Sequence, residues 1–129
     1  MNGVPVRIPD RVAAGCPVCV EPPLGGWAGQ FLGRAAEARF PVRVLGSVAL
    51  AIAQVALGHA AAAVLEDYRE WEVAAGLALA LEAGAVVLDR HGRPDPIPTG
   101  GLLVAAPSTA SVVLDRWRAA ASPRRTEPG

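Results

Sequence analysis

The sequence predicts an α/β domain in which helices cover a β-sheet. Short apolar runs at 14–21, 42–45, 60–65, 85–88 and 101–106 alternate with longer runs of helical periodicity. Gly, Pro and charged residues mark the junctions between them. One stretch, Trp71 to Ala85 (WEVAAGLALALEAGA), organises the rest. It opens on an aromatic residue and a carboxylate, passes through Ala74, Ala75 and Gly76, and runs apolar from Leu77 to Leu81. Gly84 suits the left-handed conformation that closes a helix. A largely buried helix over 71–83 is therefore expected, between strands near 61–65 and 85–89.

The elements follow in order. Residues 1–8 read as an extended segment, since Pro5 and Pro9 oppose a helix. Ala14 to Glu21 is a strand centred on Val18 and Val20, and Pro22, Pro23, Gly25 and Gly26 make a loop. Trp27 to Phe40 is a helix with Phe31, Leu32, Ala35 and Ala36 inward and Arg34, Glu37 and Arg39 toward water. Pro41 ends it. Val42 to Leu45 is a short strand, and Ser47 is a natural N-cap for the apolar helix that Gly58 closes. Ala60 to Leu65 is a strand, and Glu66 to Glu70 a charged loop. Beyond the organising helix, Asp89 to Gly92 is a turn. Pro94, Pro96 and Pro98 keep the next segment open. Gly101 to Ala106 is a strand, and Pro107-Ser108 lead into a last helix to about Ala121, with Val112, Val113, Leu114 and Trp117 on its apolar side. Residues 1–121 are expected to form one domain and residues 122–129 a frayed polar tail.

Composition narrows the function classes. A chain of 129 residues accommodates one domain, and 52% apolar content with zero formal net charge fits a globular protein. That balance points to no nucleic-acid surface. All twelve basic residues are Arg. Residues 1–10 hold no continuous apolar core of a leader. The longest apolar run, Val48 to Gly58, is interrupted by Gln54 and falls well short of the ~20 residues that span a bilayer. A cytoplasmic protein without a membrane partner is expected. Cys16 and Cys19 form a CxxC with no second pair. Positions three apart on a strand face opposite ways, so free thiols in a reducing compartment are expected rather than a metal or redox site.

The organising stretch resembles the C-terminal signature of the inositol monophosphatase family: Trp-Asp, small residues, an apolar helix, then Glu-Ala-Gly-Gly. Trp71, Ala74, Ala75, Gly76, Glu82, Ala83 and Gly84 fit it, while Glu72 replaces the Asp and Ala85 the second Gly. Asn2-Gly3-Val4-Pro5-Val6 resembles the family's Asn-Gly-x-Pro-Ile segment, and Arg43 to Ala49 its Arg-x-x-Gly-Ser/Thr-Ala-Ala segment. Asp89-Arg90-His91-Gly92 and Leu103-Val104-Ala105-Ala106 are similar to its closing strands. The resemblance covers residues 1–121 in order. It implies an α/β fold with a mixed β-sheet of about five strands flanked by helices, like the C-terminal domain of that fold. The family's Glu-Glu pair and Asp-Pro-x-Asp-Gly motif, which supply most of its metal ligands, do not occur in these 129 residues. The chain is therefore expected to be the C-terminal half of such a phosphatase.

Three places carry candidate chemistry. In the family the residue matching Glu72 helps hold Mg²⁺. Glu offers the same hard oxygen donor on an arm longer by on the order of 1 Å. Glu72 fits equally a first-turn residue placed at the positive end of a helix dipole. Gly46, Ser47 and Val48 form a strand-to-helix turn whose N–H groups can meet an anion or a hydroxyl-rich ligand; the resemblance implies a substrate contact there, and an ordinary N-cap explains the same residues. The family's substrate-binding Glu lies seven positions before its metal-binding Asp. That position is Leu65, so Glu66 fits only if the loop is one residue shorter; the alternative is a solvated charged loop. His59 and His91 are isolated and pair with no Ser, which argues against covalent catalysis.

The expected function is Mg²⁺-dependent hydrolysis of a phosphorylated sugar, inositol or nucleotide, with Glu72 as one metal ligand and Gly46, Ser47, Val48 and Glu66 on the substrate. Mg²⁺ would bind only once the missing half completes the site. The alternative is a non-catalytic relative that acts through a partner chain or a homo-oligomer.

Overall fold

The computed structural model of the chain describes residues 7–8, 16–21 and 41–121. The expected segment at Asn2 to Val6, the expected helix at Trp27 to Phe40 and the tail at 122–129 lie outside the described residues.

The described elements are β1 (Val18–Glu21), β2 (Val42–Arg43), α1 (Val48–Ala56), β3 (Ala62–Leu65), α2 (Glu70–Glu82), β4 (Val86–Leu88), β5 (Leu102–Ala105) and α3 (Pro107–Ala121). The strands form one five-stranded sheet in the order β2-β1-β3-β5-β4. β1 pairs parallel with β2 and β3, whereas β5 pairs antiparallel with β3 and β4. The mixed sheet with flanking helices is the architecture the sequence implied. Most strands are a residue or two shorter than expected.

Alternation along the strands sends side chains to two faces, and each face is covered. Cys19, Ala63, Leu65, Leu102 and Val104 pack under α1 and α2, against Ile52, Val55, Val73 and Leu77. Val18, Val20, Ala62, Val64, Leu103 and Ala105 pack under α3, against Ala110, Val113 and Trp117. The central strands are buried on both faces, which is why they read as unbroken apolar runs.

Two expectations about the helices change. Helix α2 is apolar on nearly every side, and the sequence marked it as largely buried. Only Val73, Leu77 and Ala80 are buried, at helical spacing, while Trp71, Leu79 and Leu81 are exposed. One side of α2 meets the sheet and α1, and no described element covers the other. In α3 the inward side is Ala110, Val113 and Trp117, and Val112 faces outward.

The small residues before Leu77 let the two helices approach. A Cβ built on Gly76 would lie 3.0 Å from Ile52 Cγ2 and 3.4 Å from Ile52 Cβ. Gly76→Val is therefore expected to destabilise the fold by about 1–3 kcal/mol through overpacking. Urea denaturation measures this, and an unchanged or raised midpoint would contradict the close helix contact.

Both cysteines are free. Burial, and then the nearby Glu21 carboxylate, push the Cys19 thiol up to about 11. Burial also raises the half-buried Cys16. Thiols held protonated in this way are poor nucleophiles and poor metal ligands.

Candidate functional site

The topology gathers the candidate residues. Strands β1, β2 and β3 run parallel, so their carboxyl ends share one edge of the sheet. β4 runs the same way through its antiparallel pairing with β5. That edge carries Glu21, the Leu45–Ser47 turn, the Glu66–Glu72 segment and the turn after Leu88. Open α/β sheets bind ligands outside the carboxyl ends of their strands.

The first part of the edge is the turn into α1. Gly46 takes φ +77°, a left-handed conformation that glycine adopts without strain. Ser47 is extended, and its Oγ accepts the Leu50 N–H at 3.2 Å, so it caps α1 as expected. Val48 opens the helix. The sequence offered the N–H groups of this turn to a ligand. Instead, Leu45 N donates to Glu21 Oε1 at 2.6 Å, and Gly46 N donates to both carboxylate oxygens of Glu21 at 3.1 Å. Glu21 is 8% exposed. Sequence reasoning passed over this residue. Its signal was a carboxylate closing an apolar strand, but its partners lie 24 and 25 positions away.

The second part lies in the segment from Glu66 to Glu70, expected as a charged loop with Glu66 either on the substrate or solvated. It is a tied strap. Glu66 Oε1 accepts the Trp117 indole N–H at 2.9 Å, and Glu66 Oε2 pairs with Arg90 Nη2 at 2.7 Å. Arg90 Nε donates to the Gly100 carbonyl at 2.8 Å, and its guanidinium lies 5.9 Å from the Trp117 ring centre. The Tyr68 hydroxyl donates to the Pro98 carbonyl at 2.5 Å and accepts the Gly101 N–H at 3.3 Å. Gly101, at φ +119°, sits so close that an added Cβ would lie 3.0 Å from Trp117 Cζ2 and 3.1 Å from Arg90 Nη2. Leu65, seven positions before Glu72, is fully buried in the core, so Glu66 is the carboxylate that reaches the edge here.

The third part is the start of α2. Glu72 is the third residue of the helix and exposed, and its Oε2 accepts the Arg69 N–H at 2.9 Å. That is the reciprocal arm of a capping box, in which a third-position carboxylate satisfies a free donor. The Arg69 guanidinium lies 5.4 Å from the centre of the exposed Trp71 ring. Glu72 thus does the helix-end work that its position allowed.

Among the described residues, no group of three or more His, Cys, Asp or Glu side chains is placed to hold a metal ion. A Mg²⁺ ion demands near-octahedral oxygen ligation, so these residues by themselves do not fit one. His59 and His91 are both exposed. No helix among the described residues is long and apolar enough to cross a membrane.

The model of the inositol monophosphatase family matches residues 27–124. This chain belongs to the inositol monophosphatase family. Inositol-1-monophosphatase ImpA of Mycolicibacterium smegmatis is 33% identical over 82 residues, which are 64% of this chain and 30% of that protein. An IMPase of Thermotoga maritima superposes with a TM-score of 0.79 at 26% identity, over 92% of this chain and 47% of its own. An IMPase/NADP phosphatase solved with Mg²⁺ and phosphate shares the fold at a TM-score of 0.71 and 18% identity, over 89% of this chain and 44% of that one. The chain thus spans about half the length of these inositol monophosphatase structures and 30% of the curated relative.

Proposed function

We propose that this chain is the substrate-side half of a Mg²⁺-dependent phosphomonoesterase, acting on a phosphorylated sugar, inositol or nucleotide. The carrying observation is that the Gly46–Val48 turn, Glu66 and Glu72 meet at one carboxyl edge of the sheet in a member of this family. In this reading Ser47 and the first-turn N–H groups of α1, beginning at Val48, receive the hydroxyl-bearing part of the substrate. Such first-turn donors have no partner within their own helix. Glu66 presents an acceptor whose position Trp117 and Arg90 hold. Glu72 contributes one oxygen toward Mg²⁺, and a second half supplies the remaining carboxylates.

Exposed apolar side chains support a covering partner at this edge. Val44, Leu50 and Trp71 are 59%, 45% and 74% exposed, beside the starts of α1 and α2. The test is reconstitution. The chain is mixed with a polypeptide carrying the family's Glu-Glu pair and Asp-Pro-x-Asp-Gly motif, and phosphate release from a panel of inositol, sugar and nucleotide monophosphates is followed with Mg²⁺. Turnover that depends on both chains, and falls at least tenfold in Glu72→Ala, is the expected result. Association without turnover would favour the second reading, a non-catalytic partner-binding relative in which Glu72 only caps α2.

A further inference from the structure

We propose that Glu21 is a positioning residue that serves the Gly46–Ser47 turn as a built-in anion, keeping phosphate away from this end of the sheet edge. Three observations combine. The Glu21 carboxylate is buried at the end of β1, where a charge is costly unless its oxygens are well bonded. It receives both consecutive N–H groups of the turn, from Leu45 and from Gly46. Those donors lead into the N-terminus of a nine-residue helix, where a free anion is otherwise favoured.

The geometry is that of an anion site already filled from within. A carboxylate presents two oxygens to paired amide donors much as a phosphate does, and hydrogen bonds to an ionised acceptor are the strong ones. Its negative charge also makes the potential around the turn more negative, which disfavours a second anion there. What remains attractive beside Ser47 is an uncharged hydroxyl, whose oxygen accepts from the first-turn N–H groups of α1. Under the reading proposed above, on which this step rests, Glu21 sets the polarity of substrate binding: hydroxyl-bearing body at the Gly46–Ser47 turn, phosphate away from it. Glu21 touches no substrate in this account. It acts through the turn it holds.

The experiment uses the isolated ¹⁵N-labelled chain and two probes, inorganic phosphate and amide exchange. In the wild-type chain the amide signals of Leu45, Gly46 and Ser47 are expected to ignore millimolar phosphate, with chloride at matched ionic strength as the control. Glu21→Ala is expected to show saturable phosphate shifts on those amides. It should also exchange Leu45 and Gly46 hydrogens about tenfold faster or more, as the charged acceptor is lost. Glu21→Gln keeps the volume and one acceptor oxygen, so it serves if the alanine variant does not fold. There the Gly46 amide exchanges faster than in the wild type while Leu45 stays protected. Saturable phosphate shifts at the turn in the wild type would overturn the proposal. So would a folded variant whose Leu45 and Gly46 amides exchange at the wild-type rate. Neither readout involves turnover, so failure here leaves the reconstitution result standing, and the reverse holds as well.

Discussion

Trp117→Ala is expected to destabilise the chain by about 3–5 kcal/mol, the cost of emptying a large aromatic site. Trp117 is fully buried and is the largest such side chain among the described residues. It anchors α3 to the sheet among Val18, Val20, Val64 and Leu103. Its loss also strips the indole N–H from Glu66 and removes the ring against which Arg90 and Gly101 lie. Domains of this size hold about 5–15 kcal/mol in total, so the variant loses a large share of its stability. Trp117→Phe separates the two contributions. It keeps most of the apolar volume and removes the indole donor, with an expected cost of about 1–3 kcal/mol from the unsatisfied carboxylate. Urea midpoints at constant slope measure both. A phenylalanine variant as stable as the wild type would show that the Glu66 strap does not depend on that hydrogen bond.

Purified alone, the chain is expected to release no phosphate above the uncatalysed rate from inositol, sugar or nucleotide monophosphates in millimolar Mg²⁺. One carboxylate does not complete a catalytic Mg²⁺ site, since the ion retains waters and takes further ligands from other carboxylates or substrate phosphates. Two-metal phosphate chemistry places its ions roughly 3.5–4 Å apart and needs several converging ligands. Here Glu72 gives one oxygen to the Arg69 N–H, Glu66 is committed to Trp117 and Arg90, and Glu21 is committed to the Leu45–Gly46 turn. The assay uses the full chain with and without Glu72→Ala. Robust turnover that vanishes in the variant would show a complete site within these residues and would overturn the half-enzyme reading.

The α/β alternation was legible because each element carries its own periodicity and its own stop. Gly84, at φ +101°, ends α2 where the pattern ended it, and Ser47 caps α1 through a bond only three residues long. The family signature was equally local, a short run around Trp71 with fixed spacing. Glu72 as a first-turn residue followed from position alone, and its bond to Arg69 is a neighbour's bond.

What only the tertiary structure decided is the work of the remaining carboxylates. Glu66 stood in a charged run that looks solvated, and its two partners lie 24 and 51 positions further along. Glu21 looked like the polar end of a strand, yet it fills the turn that the sequence left open to a ligand. The burial of α2 was likewise overestimated, because composition records how apolar a helix is, not how many of its sides find a cover. Local periodicity and caps depend on residues within a few positions, and a single chain displays them directly. Which distant donor a carboxylate meets depends on the order of strands in the sheet, and here the placement of β1 between β2 and β3 brings Glu21 to the Gly46 amide.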